Sequence, residues 1–282
     1  MSKQKKIGIA LGGGGARGIA HLGALYSLQQ YGIPIDMISG TSIGAIVAAL
    51  YAYKGDSREI SDLFLKAQDS KEFKALQLER IAKNARKVSR FENVKGSFIN
   101  YILQKRMGFL KASLTEEFLQ SLFGEIRFSD LKLPLALIAG NISQSKGVAF
   151  RGGDLIKAVQ ASMSLPMWME PVEIDGDLYV DGISHDVVPT QILREMGADI
   201  VIAVDVSLRN KPEKIRHALD VHAIAETMSV NRSIDLSLEF ADIVIKPDTQ
   251  GLLWYDFDQS AQLIKAGREA TKPLIPNIKK LL

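Results

Sequence analysis

The chain has no cysteine among its 282 residues, which excludes a disulfide framework, a thiolate metal site and a cysteine nucleophile together. Any covalent chemistry falls to Ser, Thr, Asp, Glu, Lys or His. Long apolar runs are missing too. The best, Ile43 to Tyr53, is 11 residues, short of the roughly 18 that a membrane-crossing helix requires and suited to a buried core helix. Near the N-terminus, Ile7 to Leu11 runs into glycines and is too short for the core of a secretion signal. The expectation is a cytoplasmic protein that touches membrane only peripherally, at the inner surface. A formal net charge of +3 gives no reason to expect a nucleic-acid partner. What is present, 46% hydrophobic and 24% charged residues, is the mixture of a soluble globular chain large enough to bury a core without covalent staples.

Lys6 to Leu11 is a short β-type run stopped by four glycines; Ile19, Leu22, Leu25 and Leu28 then recur at helical spacing over residues 16 to 30. After a break at Tyr31-Gly32-Ile33-Pro34, Asp36 to Ser39 reads as a second strand, with the helix 43 to 53 behind it. Further strands are expected at Leu135 to Gly140, in a hairpin of Val172 to Asp175 and Leu178 to Val180, at Ile200 to Val206 and at Ile243 to Ile245, with a helix over 217–240. Strands alternating with helices predict an α/β fold of three layers, α/β/α, whose mostly parallel central sheet is covered on both faces. One domain is expected over 1–282, closing with a helical extension over about 247–282.

Charge is segregated. From Lys66 to Lys111 there are 12 Lys or Arg against 4 Asp or Glu, a local excess of +8, so the remainder sums to −5. This stretch has no strand signal, and Phe73, Leu76, Ile81, Phe91 and Phe98 among its charges fit amphipathic helices. It reads as a basic helical insertion in the α/β core. Either it is a solvated face, or it meets an anionic membrane surface.

Gly40-Thr41-Ser42-Ile43-Gly44 is a G-x-S-x-G sequence between an expected strand and an expected helix. By chance alone such a pentapeptide arises in roughly 0.1 to 0.2 of chains this long, so its context carries the signal. A sharp strand-to-helix turn strains the serine, needs the flanking glycines, and sets the hydroxyl at a helix N-terminus that favours a nearby oxyanion. A helix N-cap serine is the plainer alternative. Gly12-Gly13-Gly14-Gly15-Ala16-Arg17-Gly18 also joins a strand to a helix and offers backbone N–H groups to a negative oxygen. Gly13, Gly15 and Gly18 fit a dinucleotide loop, with Asp36 as ribose acid, but Asp36 begins its strand where that role needs its far end. A phosphate-binding P-loop lacks its Gly-Lys-Ser/Thr. An oxyanion hole for a carbonyl attacked by Ser42 remains, since neighbouring βα turns open at one edge of a parallel sheet.

A serine nucleophile needs a base. His21, His217 and His222 fall in helical sequence and read as core or surface residues; His185, three residues after Gly182, is harder to set aside. Asp181, between the apolar run ending at Val180 and Gly182, protrudes at a strand end, where partial burial would raise its pKa toward that of a useful base. An Asp-Gly turn residue is the alternative. A Ser-His-Asp hydrolase using Ser42, Asp205 and His217 or His222 would also keep a known chain order.

Together these pieces resemble the patatin-like phospholipases, and within them bacterial proteins similar to the catalytic domain of neuropathy target esterase. The family's G-G-G-x-R/K-G, G-x-S-x-G and D-G-G/A are matched in order by Gly13 to Gly18, Gly40 to Gly44 and Asp181-Gly182, and Ala161 to Pro166 and Pro171 to Gly176 look like the family's approach to its aspartate. The likeness runs from about residue 6 to about 206. It implies a patatin-like fold and a lipid acyl hydrolase of phospholipase A or lysophospholipase type. Ser42 would be the nucleophile and Asp181 the proton acceptor of a dyad. The Gly13, Gly14 and Gly15 amides would form the oxyanion hole, with Arg17, Gly18, Gly40, Gly44 and Gly182 in support. The substrate would be a phospholipid or lysophospholipid, and no metal or organic cofactor is required. Arg17 would brace the loop, bind a phosphate head group or form a salt bridge. Ile183 departs from the family's Gly or Ala and would be strained if the turn needs a positive φ. A silent binding protein that keeps the fold is the reading this departure leaves open.

Overall fold

Successive residues of a strand face opposite ways, so a strand that is apolar throughout must be covered on both sides. The computed structural model of the chain describes residues 5–76, 105–209, 215–216 and 218–282. Its strands are β1 (Ile7–Leu11), β2 (Met37–Thr41), β3 (Gly108–Leu110), β4 (Leu135–Asn141), β5 (Lys146–Phe150), β6 (Met167–Met169), β7 (Val172–Ile174), β8 (Asp177–Asp181), β9 (Ile200–Val204) and β10 (Ile243–Ile245). The main sheet has the order β10-β9-β1-β2-β4-β8-β7, with β5 also on β4. From β10 to β4 the pairing is parallel; β5 and β8 run antiparallel to β4, and β7 to β8.

The helices are α1 (Ala20–Gln30), preceded by a 3-10 turn over Gly15–Ile19, α2 (Ile43–Lys54), α3 (Ser57–Gln68), α4 (Lys71–Ala75), α5 (Ala112–Phe123), α6 (Leu155–Met163), α7 (Gln191–Glu195), α8 (Ala218–Leu238), α9 (Ser260–Thr271) and α10 (Ile275–Leu281). Ile7, Ile9 and Leu11 of β1 and Ile200, Ile202 and Val204 of β9 enter the larger core with α1, α2 and α9. Ala10, Val201 and Ala203 face the other way, onto Leu193 of α7 and Ile234 of α8. The three layers follow from that alternation. Helix α2 is buried from Ile43 to Ala52, as a helix apolar all round must be.

Two details differ from the sequence expectation. The basic stretch contains a strand, β3, which pairs in parallel with β6 as a separate two-stranded sheet. Three residues are too few for an alternation to register. Of the expected basic helices, Lys66 lies in α3 and Lys71 to Ala75 form α4, while 77–104 lie outside the described residues.

Helices α1 and α9 meet at Gly23 and Gly267. A Cβ on Gly23 would overlap the Ile264 carbonyl oxygen, and one on Gly267 that of Ala20. In an isolated helix Gly→Ala gains about 1 kcal/mol. Here backbone would have to move, so Gly267→Ala is expected to destabilise by about 3 kcal/mol, read as a lower denaturation midpoint in urea. An unchanged or higher midpoint would contradict this packing.

Candidate active site

Register decides which residues share the sheet edge. Leu11 pairs with Gly40, Thr41 with Ile138, and Ala139 with Asp181. The C-terminal ends of β1, β2 and β8 therefore reach the same level, bringing the glycine loop, Ser42 and Asp181 together across 139 positions of sequence.

Ser42 has φ 59 and ψ −125, a conformation that costs a non-glycine residue about 1–3 kcal/mol and persists only where its surroundings enforce it. Close approach does so on both sides: a Cβ on Gly40 would overlap the Gly44 carbonyl, and one on Gly44 that of Leu11. The Ser42 amide donates to the Ser162 hydroxyl at 3.0 Å, and the Ser42 carbonyl accepts from the Ala45 amide at 2.9 Å in the first turn of α2. Ser42 thus stands at the positive end of a 12-residue buried helix. Ser162 lies in the stretch Ala161 to Pro166 that the family resemblance marks, but its role as acceptor for Ser42 is visible only in three dimensions.

The Ser42 hydroxyl donates to Asp181 Oδ2 at 2.6 Å. The other carboxylate oxygen, Oδ1, accepts the Ile183 amide at 2.9 Å, and the Asp181 amide donates to the Ser164 carbonyl at 2.8 Å. Asp181 is only 2% exposed. Burial pushes its carboxyl up from 3.8 to about 7, with the hydrogen bonds from Ser42 and Ile183 opposing. A carboxylate kept near neutrality and aimed at a hydroxyl is poised to accept its proton. Ile183 sits in a 3-10 turn over Gly182–Ser184 and is not among the positive-φ residues. The bulky side chain is therefore unstrained, and the close approach falls on Gly182, whose Cβ would overlap the Ile138 carbonyl.

The glycine loop runs beside the serine: a Cβ on Gly13 would lie 3.4 Å from that of Ser42. Of the three loop amides expected at the oxyanion hole, one has a backbone partner. Gly13 donates to the Val187 carbonyl at 2.9 Å, which fastens the loop to the chain beyond Asp181. Among the described residues no acceptor takes the amides of Gly14 and Gly15. Gly15 adopts φ 58 against the Trp254 carbonyl, which accepts the Ala16 amide at 2.7 Å, and Gly18 packs against Ile43. Arg17 braces the loop from behind: Nε donates to the Val206 carbonyl at 3.0 Å and Nη1 to that of Leu252 at 3.3 Å. Burial lowers its pKa against the attraction of Asp205 and Asp256.

The remaining candidates fall elsewhere. Asp36 precedes β2 at the opposite edge of the sheet, where its carboxylate accepts the Ile7 amide at 2.7 Å. His21 is fully buried and donates from Nε2 to the Gly12 carbonyl at 2.7 Å. Burial holds its pKa down at about 4, so it is neutral. His185 is exposed, with its ring against Gly147 of β5, and His222 is exposed on α8, while His217 lies outside the described residues. Asp205 accepts the Ser207 amide at 2.9 Å and lies 3.6 Å from Lys246 Nζ. Among the described residues no histidine lines the cavity at Ser42, and no group of three or more His, Asp or Glu is arranged to hold a metal ion.

Ser42, Asp181 and the loop residues Gly13, Gly14 and Gly15 line a cavity of about 230 Å³ walled mainly by Ile46, Phe64, Phe118, Met163 and Phe257. Phe73 closes one side, edge-on to Phe118 at 5.6 Å and to Phe257 at 5.2 Å. Phe64, Phe118 and Phe257 come from three distant segments and had no common signal in the sequence. A hydroxyl with a proton acceptor, two free amide donors and an apolar chamber is the equipment of acyl transfer.

Known proteins share both the sequence pattern and the fold. Residues 9–194 match the family described as patatin-like phospholipase. The lysophospholipase NTE1 of Cryptococcus neoformans is 33% identical over 205 residues, covering 72% of this chain and 11% of that protein. The rat patatin-like phospholipase domain-containing protein 7 is 32% identical over 209 residues, covering 73% of this chain and 14% of that protein. This chain thus spans only a small fraction of the length of the curated relatives it matches. Among solved structures, VipD of Legionella pneumophila covers 98% of this chain and 67% of its own, with TM-score 0.54 and 14% identity. Human GIVD cytosolic phospholipase A2 covers 98% of this chain and 60% of its own, with TM-score 0.54 and 12% identity. Those two likenesses are of fold alone; the match over residues 9–194 places the chain in the patatin-like phospholipase family.

Proposed function

We propose that this chain is a serine acyl hydrolase acting on lipids, of phospholipase A or lysophospholipase type. The observation that carries the reading is the 2.6 Å hydrogen bond from Ser42 Oγ to a buried carboxylate at the wall of an apolar cavity. Ser42 Oγ attacks the ester carbonyl while Asp181 takes its proton, and the carbonyl oxygen becomes an oxyanion facing the Gly14 and Gly15 amides and the N-terminus of α2. Gly13, with its own amide engaged, sets the position of the other two. Collapse of the tetrahedral species breaks the ester C–O bond, and the proton held by Asp181 passes to the leaving alcohol. Asp181 then takes a proton from water, whose oxygen attacks the acyl-serine; collapse breaks the acyl–Oγ bond, releases the fatty acid and returns that proton to Ser42 Oγ. No charge beyond the oxyanion has to be met, so residues of this chain suffice.

The acyl chain would lie in the cavity against Phe64, Phe118 and Phe257, where methylenes leave water at about 0.8 kcal/mol each. The lysophospholipase names of the relatives agree with this substrate class. Incubation with phosphatidylcholine and lysophosphatidylcholine, followed by mass spectrometry of the products, tests it. Free fatty acid and the deacylated head-group compound are expected, with a fluorophosphonate adduct on Ser42. A folded protein that releases no fatty acid from either lipid and takes no adduct would overturn the reading.

A further inference from the structure

The parallel pair β3 and β6 displays apolar side chains to solvent. Met107, just before β3, is 61% exposed and Met167, the first residue of β6, is 55% exposed; Gly108 pairs with Met167, so the two methionines lie at the same end of this strand pair, one residue apart in register. Further along the two strands the Phe109 and Trp168 rings meet at 6.1 Å, and Trp168 meets Trp254 at 5.4 Å. Trp254 lines the Ser42 cavity, so this row of rings runs from the exposed face to the cavity wall. The chain has 2 tryptophans, and both belong to this row.

Cations flank the methionines. Lys105, Arg106 and Lys111 are exposed, and across 105–112 and 165–170 the one acid is Glu170, whose carboxylate accepts the Ala112 amide at 3.2 Å. Exposed apolar tips, tryptophans with a polar edge and exposed cations each suit a bilayer interface: burial in the acyl boundary, a place at head-group level, and attraction to anionic lipid.

We propose that the face formed by Lys105, Arg106, Met107, Met167 and Trp168 docks onto an anionic lipid bilayer, so that the row of rings leads from the membrane to the acyl cavity. The second half of this statement rests on the hydrolase reading; the docking itself does not. Met107 and Met167 enter the acyl boundary, and Lys105 and Arg106 stay with the anionic head groups. A bulky residue at φ 71 is an outlier, and asparagine tolerates that backbone better. Met167→Asn therefore removes the apolar tip without adding strain.

The test uses the full chain with vesicles of phosphatidylcholine alone and of phosphatidylcholine with phosphatidylglycerol, read by tryptophan emission and co-sedimentation. The expected result is a blue shift and binding on the anionic vesicles at low salt, weakened at high salt. Met107→Ser with Met167→Asn, and separately Lys105→Glu with Arg106→Glu, should each weaken that binding about tenfold or more, with p-nitrophenyl butyrate hydrolysis unchanged as the control for folding. Wild-type protein that hydrolyses the soluble ester but ignores anionic vesicles overturns docking and leaves the hydrolase reading standing. Protein that binds them through these residues yet is inert on every ester does the reverse. Equal binding by wild type and both variants, no preference for anionic vesicles, or substitutions that instead dissociate a dimer would each overturn the proposal.

Discussion

Ser42→Ala is expected to remove fatty-acid release by about four orders of magnitude or more, because in the proposed reaction it deletes the attacking atom and leaves only the amides and the cavity to act on the ester. Asp181→Asn keeps the shape of the site, but its amide donates toward Ser42 Oγ instead of accepting, so a loss of about three orders of magnitude or more is expected. The two changes together should cost no more than the larger alone, since residues acting as one unit are not additive. The pH profile separates a base from a spacer. As the proposed base Asp181 would work ionised, and burial holds its carboxyl at about 7. Turnover in wild type should therefore rise with pH to a plateau, with its midpoint near that value. In Asp181→Asn the residual rate should lack that limb. A wild-type midpoint near the ordinary carboxylate range, or an Asp181→Asn protein with near-normal turnover, would remove Asp181 from the mechanism and return attention to the histidines.

The same substitution is expected to stabilise the fold above neutrality. Folding raises the Asp181 carboxyl from 3.8 to about 7, so between those values the folded chain holds a proton that the unfolded chain has released. Stability from this group is greatest below about 4, falls as pH climbs to about 7, and stays low above it. At about 1.4 kcal/mol per pH unit, the cost of burying the charge is on the order of 4 kcal/mol. Asparagine cannot ionise and keeps an oxygen for the Ile183 amide that Asp181 now holds at 2.9 Å. Thermal unfolding of Asp181→Asn should lie several degrees above wild type at pH 8, with the difference closing toward pH 4. If Asp181→Asn melts lower than wild type at pH 8, the buried charge is not the burden this geometry implies. Joined to the loss of turnover, a higher melting point would mark Asp181 as a residue whose place in the fold costs stability in exchange for chemistry.

Local chemistry was legible in the chain because the tightest constraints are local. Gly40 and Gly44 must lack a Cβ for β2 to turn into α2, and Ser42 must take a left-handed φ between them, so the pentapeptide carries its own geometry. Alternate residues of β1 and β9 are apolar on both faces, which by itself requires a covered sheet. Less local features escaped. The amides of Gly13, Gly14 and Gly15 look alike in sequence, yet Val187, some 170 positions on, takes one of them. Ile183 looked strained until the turn proved to be 3-10. β3 was too short to signal itself amid the basic charges, and only its pairing with β6 made it a strand.

By sequence alone, then, this protein is a glycine-bounded serine, a glycine loop and an aspartate at a strand end, carried on a covered parallel sheet; periodicity and Cβ-free turns encode these over a few residues each. Tertiary structure decided that Ser42 and Asp181 meet at 2.6 Å, that Asp181 is buried enough to hold a proton near neutrality, that Ser162 steadies the Ser42 amide, and that phenylalanines from three segments close one chamber. Those outcomes depend on strand register and burial, which are properties of the whole packed chain and are written in no single stretch of it.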